Sequence, residues 1–431
     1  MKTLRKLAGL AACGLMIWTG PASADAVTDW NDIAQTAILT GRPGPTGVLD
    51  SALVQIAVHD AVQAIDRRFE PYHFEMKGAR GSRQAAAAAA AHDVLVGLYP
   101  AQATNLDTLY FSYLASNGLG SDPGLAVGQQ AAAAILPLAA TRSAPVPPLP
   151  DFIGGTDPGE WRPTESFIGN PPVPPSGAPM HAPYVATRDP YTLTGPTRFR
   201  AQPPPALDSW LYTKDFNEVK RLGSFGSTER TAEQKDIGYF YSDNFLAQWN
   251  RALRAIAINH LRRTGDSARL FALANMAMAD AFITSWDSKV FHNFWRPLTA
   301  IREAASDGNP GTEPDAAWQP LINTPNYPDY TSGANNLTGA VTRTLSLYFG
   351  RDKFTWSVTS NAPLAVRKTR AYARFSAAAD DVVDARVFLG IHFRFADTAA
   401  RTQGRRVAEW AFNHFLLPLR DDDDHHSRDD H

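Results

Sequence analysis

The sequence predicts an all-α protein: a large helical-bundle chain of two packed bundles with a long Pro-rich strap between its halves. Three observations carry this. Apolar residues recur near a 3.6-residue period in most segments, and almost none alternates with a period of two. Between residues 144 and 207 the texture changes, with proline clusters at 145–148, 171–175 and 203–205. The hydrophobic share of 44% over 431 residues supports a sizeable core, and the length admits either two or three domains or one continuous helical unit. A formal net charge of −2 leaves no footprint for nucleic acid or an anionic membrane. Any cationic cluster must therefore be local.

Residues 1–24 read as a secretory signal peptide: Lys2, Arg5 and Lys6, an apolar run from Leu7 to Trp18, then Ala22-Ser23-Ala24. The expected location is periplasmic or secreted. Leu10-Ala11-Ala12-Cys13 resembles a lipoprotein box, but the apolar run continues past Cys13. Cleavage after Ala24 removes the only cysteine, which excludes disulfides, thiol catalysis and zinc–thiolate sites from the mature chain. No later apolar run is read as reaching the ~20 residues of a spanning helix, so an integral membrane protein is not expected.

The N-terminal helical half is placed at 25–143. Its helices are expected at 25–41, 47–69, around the alanine run Ala85 to Ala91, at 101–116 and at 123–142. The alanines favour helix and allow close helix packing. His59, inside the second helix, reads as a hydrogen-bonded core residue. Gly118, Gly120 and Gly124 follow no strand, so they are not a dinucleotide loop. The strap at 144–207 is too long to lack elements of its own unless it wraps the body or covers a site; Trp161, Phe167, Tyr184, Tyr191 and Phe199 would pin it. The C-terminal half, 208–420, is read as helices at 209–222, 231–263 (Thr231 as N-cap with Gln234 three later), 267–293, 336–349, 363–385 and 398–417. The tail at 421–431, acidic and histidine-bearing, reads as a solvated disordered end.

Three separated segments carry the chemistry. In the first, Lys289 and Arg296 stand seven residues apart, on one face if the segment is helical, with Trp286 and His292 on the same side. Pro297 disfavours helix at Arg296 and should end or kink it there. Such a segment wants an anion, though a cationic helix end satisfying carbonyls has the same composition. In the second, Ser332-Gly333 precedes a helix, whose free N–H groups can hold an oxyanion or simply form a cap. In the third, Arg386 and His392 are six apart, about 240° around a straight helix. A bend at Gly390 would bring them together, and Asp397 is expected to orient the imidazole.

Together the segments resemble the superfamily of vanadium-dependent haloperoxidases and type 2 phosphatidic acid phosphatases. Its pattern is a lysine seven before Arg-Pro, then Ser-Gly-His, then an arginine six before a histidine. The match falls on Lys289, Arg296-Pro297, Ser332-Gly333, Arg386 and His392. Segments 199–209 and 227–234, and the histidine–aspartate helix at His59, look like the bacterial haloperoxidase-like branch. The resemblance implies a bound vanadate, or phosphate in the same site. Its oxygens would face Lys289, Arg296 and Arg386, Ser332 and Gly333 would complete the shell, and His392 would bond the metal. It also implies hydrogen peroxide, a halide and a small organic acceptor as partners, with Lys289 polarising peroxide. A homodimer is left open. The alternatives are an acid phosphatase working through a phosphohistidine on His392, and a non-catalytic oxyanion binder.

The pattern is broken at Ala334, where the family places its acid/base histidine. Loss of such a group commonly costs about 10² to 10⁴ in rate. His292 is the first expected substitute, with Asp329 or a water held by Asn335 as others.

Overall fold

The computed structural model describes residues 24–143, 150–166 and 177–419. Its helices in the first part of the chain are α1 (Ala26–Gly41), α2 (Pro45–Asp66), α3 (Arg83–Leu98), α4 (Ala103–Ser116), α5 (Gly124–Ile135) and α6 (Ala139–Arg142). After the strap come α7 (Trp210–Leu222), α8 (Ala232–Phe240), α9 (Phe245–His260), α10 (Thr264–His292), α11 (Pro297–Arg302) and α12 (Gly333–Tyr348). A hairpin of β1 (Lys353–Thr359) and β2 (Thr369–Arg374) leads to α13 (Phe375–Phe388) and α14 (Arg394–His414). The protein is mostly helical, as the sequence predicts. Most of the stretch read as a signal peptide, with Cys13, the 145–148 and 171–175 proline clusters, Phe167 and the acidic tail lie outside the described residues.

Local sequence starts these helices as expected. Asp25 with Thr28, and Thr231 with Gln234, form reciprocal capping boxes at α1 and α8. The axis of the fold is α10, buried almost continuously from Gly265 to Lys289 although it carries Arg269, Asn275, Asp280 and Asp287. It packs on α2, α12 and α14. Ala85 to Ala91 are wholly buried, and α5 comes so close to them that a Cβ on Gly128 would fall 2.3 Å from the Ala86 carbonyl oxygen. One apolar cluster runs from Ala26 to Leu416 and joins the helices on both sides of the strap. A second gathers Tyr212, Phe216, Trp295, Trp318 and Phe393.

Four expectations are corrected. The helix predicted at 231–263 is two helices, because Asn244 turns out to the extended region and caps α9. The N-terminal part of the helix predicted at 363–385 is strand. In β1, Phe354, Trp356 and Val358 are buried on one face, pairing antiparallel with β2. Helices α12 and α14 begin at Gly333 and Arg394, ahead of the predicted 336 and 398. Lastly, α2 and the stretch Gly124–Arg142 are long and apolar enough to cross a membrane, but 94% of the α2 window is enclosed by the protein itself.

The described parts of the strap hold one short 3-10 turn, Pro183–Thr187. Trp161 and Tyr191 are buried, as expected of pinning aromatics. Charged side chains do as much. Asp280 of α10 accepts the N–H groups of Tyr191 and Thr192 at 2.6 and 2.7 Å, and Arg200 makes a two-pronged pair with Asp287 at 2.7 and 2.6 Å.

Candidate active site

The end of α10 is the first wall. The helix stops at His292 because Asn293 adopts a left-handed φ of 47°, a conformation asparagine tolerates better than most residues. The chain returns extended through Arg296, and Pro297 opens α11. Lys289 and Arg296 therefore converge across a chain reversal and do not share one helical face. Both are fully buried. Lys289 Nζ donates to the carbonyls of Pro328 and Asp329 at 2.6 and 3.1 Å. Arg296 donates from Nε to Tyr327 O at 2.8 Å and from Nη1 to Ile391 O at 2.5 Å. Tyr327 lies under both cations, its ring centre 4.9 Å from Lys289 Nζ and 4.8 Å from the Arg296 guanidinium. Trp286 lies beside it, the ring centres 5.0 Å apart and the planes tilted by 50°.

The second wall is the start of α12. Asn336 N–H bonds Ser332 O at 3.0 Å, and the N–H groups of Gly333, Ala334 and Asn335 precede any intrahelical acceptor. Packing at 333 is tight: a Cβ there would lie 3.1 Å from the rings of both Phe282 and Trp286, which would have to give way.

The third wall is the turn from α13 to α14. Gly390 takes φ +77°, and a Cβ on it would fall 2.3 Å from Gly223 O. This bend is what lets Arg386 and His392 face one place. The turn is anchored behind the site by Arg394, which bonds Glu218 through two nitrogens at 2.8 Å each and Asp384 at 2.7 Å. Arg386 donates from Nη1 to Tyr241 O at 3.1 Å.

The imidazole of His392 is buried, with Nε2 3.1 Å from Arg296 Nη1 and Nδ1 2.7 Å from Asp329 Oδ1. Arginine can only donate, so Nε2 is read as the acceptor and Nδ1 as the protonated nitrogen, facing the Asp329 carboxyl but out of line for a full hydrogen bond. The carboxyl beside the imidazole is thus Asp329, not Asp397 as the sequence suggested. Asp397 instead accepts Asn335 Nδ2 at 2.8 Å, and Asn335 Nδ2 lies 3.4 Å from Ser332 Oγ. His292 is not brought to this cluster: its Nε2 is 3.0 Å from Ala201 O, and its ring stands edge-on to Tyr330 and Phe291.

Burial governs the electrostatics. Desolvation, then the neighbouring Arg296, holds Lys289 well below its ordinary pKa, against the pull of Asp329 and Asp397. Desolvation, followed by Arg296, Lys289 and Arg386, keeps His392 well below its usual range and hence neutral. Asp329 is pushed up to about 7 by burial despite Arg296 and Lys289. The most telling atoms are those without partners. Arg296 Nη2 and Arg386 Nε are buried donors with no hydrogen-bond acceptor among the described residues. Unmet guanidinium donors in a dry pocket cost free energy unless an anion meets them. The donor set, two forked guanidiniums, an ammonium and helix-terminal N–H groups, fits a tetrahedral or trigonal oxyanion.

With that geometry in place, the comparisons with known proteins agree. A family model described as the second helical-bundle domain of VCPO matches residues 269–420, the stretch that holds Lys289, Arg296, Ser332, Gly333, Arg386 and His392. Over that stretch the chain is similar to the vanadium-dependent haloperoxidases. It is 26% identical over 288 residues to the vanadium chloroperoxidase of Curvularia inaequalis, an alignment covering 51% of this chain and 47% of that protein. The chain thus spans about half the length of this curated relative. A bacterial vanadium-dependent iodoperoxidase crystal structure superposes with a TM-score of 0.75 at 25% identity, covering 92% of this chain and 97% of that one. A holo-type bacterial vanadium-dependent chloroperoxidase shares the fold, with a TM-score of 0.70 at 17% identity, covering 92% and 98%.

Sequence reasoning passed over one residue that organises the haloperoxidase-like site. Gln403 of α14 accepts from Asn336 Nδ2 and Thr331 Oγ1, both at 2.9 Å, and donates to Phe199 O at 2.8 Å and Ser288 Oγ at 3.1 Å. It ties α10, α12, α14 and the strap together. Its only sequence signal is a glutamine on the buried face of an amphipathic helix.

Proposed function

We propose that the protein binds vanadate in this cradle and oxidises iodide or bromide with hydrogen peroxide. The observation that carries this reading is the pair of buried guanidinium nitrogens on Arg296 and Arg386 that meet no acceptor among the described residues. Lys289, Arg296 and Arg386 would hold the negative oxygens, Ser332 and the Gly333 N–H would bond others, and His392 would turn its Nε2 lone pair to the metal once Arg296 Nη1, which it meets at 3.1 Å here, donates to the anion instead. Vanadate, when bound, supplies Lewis-acid activation of peroxide without a change of oxidation state. The chain's own part is to orient the reactants, exclude water and restore charge. Lys289, disfavoured as a cation by burial and by Arg296, regains its proton beside an anion and can then polarise peroxide. Export is proposed on residues 1–24, and amino-terminal sequencing of the mature protein checks it.

The test mixes purified protein with orthovanadate, peroxide and iodide or bromide, and follows halogenation of a phenolic dye. Vanadate-dependent halogenation is expected. Cleavage of an aryl phosphate, with vanadate as competitive inhibitor, would support the phosphatase alternative in its place. Vanadate binding with neither activity would leave the non-catalytic reading.

A further inference from the structure

The haloperoxidase-like reading leaves the reaction one proton donor short, because residue 334 is alanine. The gap lies at the start of α12, and what reaches that helix start from α14 is Asp397. Its side chain is fully buried. Oδ1 is held by Asn335 Nδ2 at 2.8 Å, from the residue that follows Ala334. Oδ2 meets no donor in full hydrogen-bond geometry among the described residues, Ser332 being the hydroxyl near enough to act on the carboxyl. The carboxyl is within electrostatic reach of every charge in the cradle: Lys289 from α10, Arg296 before α11, Asp329 from the loop ahead of α12, and Arg386 from α13. Burial, with Asp329 adding to it, holds Asp397 well above the ordinary carboxylate range, while Ser332, Arg386 and Asn335 pull the other way. A carboxyl kept neutral has a proton to give.

We propose that Asp397 is the catalytic acid of this site, its Oδ2 taking the part of the absent residue-334 histidine. The inference rests on the haloperoxidase reading. In the net reaction a halide ion, hydrogen peroxide and one proton give hypohalous acid and water. The halide–oxygen bond forms as the peroxide O–O bond breaks, the halide loses two electrons, and the peroxide oxygens gain them. Asp397 gives its proton to the departing oxygen, which leaves as water, and the carboxylate is reprotonated from solvent.

The experiment compares wild type, Asp397→Asn, and Asp397→Asn combined with Ala334→His, by calorimetric vanadate binding from pH 5.5 to 8.5 and by halogenation rate. Circular dichroism and vanadate binding report folding independently of turnover. The expected result is a fall of about 10² or more in kcat for Asp397→Asn and recovery of at least tenfold in the double variant. Wild-type affinity should weaken with rising pH more than that of Asp397→Asn, since only an aspartate can ionise against the bound anion. If Asp397→Asn binds vanadate and turns over as wild type does, or if the double variant recovers nothing, Asp397 is not the acid. If Asp397→Asn does not fold, Asp397→Glu, which keeps a proton donor, replaces it: retention of kcat within tenfold with an altered pH profile supports the role, and an unchanged profile overturns it. Failure of wild type to bind vanadate at any pH overturns the haloperoxidase reading itself.

Discussion

The Asp329 carboxyl lies 2.7 Å from Nδ1 of His392, 63 residues later in the chain. A ligating imidazole needs its second nitrogen fixed so that the lone pair points one way, and loss of such a partner typically costs about 10- to 100-fold in affinity. Asp329→Ala should therefore weaken vanadate binding by about that factor, while Asp329→Asn, whose amide oxygen keeps a negative dipole facing Nδ1–H, should lose much less. Calorimetry with orthovanadate reads both. Equal affinity in wild type and Asp329→Ala would remove the orienting role.

Arg386 meets a carbonyl with Nη1 but leaves Nε buried and without an acceptor among the described residues. A hydrogen bond to a charged group contributes about 1.5–3 kcal/mol. Arg386→Ala is expected to weaken vanadate binding by about tenfold to a hundredfold, and Arg386→Lys by nearly as much, because an ammonium cannot reproduce the fork. Vanadate titrations of both variants at constant ionic strength decide it.

How much of this site was legible in the sequence follows from how each residue reaches it. Lys289, Arg296, Ser332, Gly333, Arg386 and His392 could be singled out because their spacing and an adjacent Pro or Gly match the family's pattern; each segment alone reads equally as a helix end, a cap or a core histidine. Asp329 was noticed only as a possible acid, and Asp397 was assigned to the wrong partner, because which carboxyl meets the imidazole depends on how α12 and α14 approach one another. The hairpin was missed although Phe354, Trp356 and Val358 do alternate. That run is short, and the alanine-rich, apolar sequence after it pulled the reading towards helix. His292 illustrates the opposite error: three residues after Lys289 it shares a face in projection, yet the left-handed turn at Asn293 and the returning strap leave it against Ala201.

Gly390 is where backbone geometry sets the distance between two functional side chains. Alanine there meets a left-handed φ, costing roughly 1–2 kcal/mol, and a Cβ 2.3 Å from a carbonyl oxygen that cannot move freely. Gly390→Ala should destabilise the fold by more than about 2 kcal/mol and weaken vanadate binding as Arg386 and His392 part. Gly226→Ala is the control, since its Cβ would meet nothing within 4 Å, and it should change stability by no more than about 0.5 kcal/mol. Urea denaturation of the pair separates strain from a general intolerance of alanine.

Asp280 supplies a pH dependence that involves no site chemistry. It sits in the middle of α10, accepts from Tyr191 N, Thr192 N and Thr192 Oγ1 at 2.6, 2.7 and 2.5 Å, and so clamps the strap to the core helix. Burial raises its carboxyl to about 6 against those hydrogen bonds. A folded-state pKa above the unfolded one means that the native protein binds more protons across the interval. The contribution is then fully present below about pH 4 and is lost as pH rises through about 6, by at most about 3 kcal/mol. In Asp280→Asn the group no longer titrates, so the variant should show less loss of stability than wild type between pH 4 and pH 7, even though it is less stable overall for want of a good acceptor. Denaturation midpoints of the two proteins at both pH values give the difference directly. A parallel shift in wild type and Asp280→Asn would mean that the clamp carries the same proton in the folded and unfolded chain.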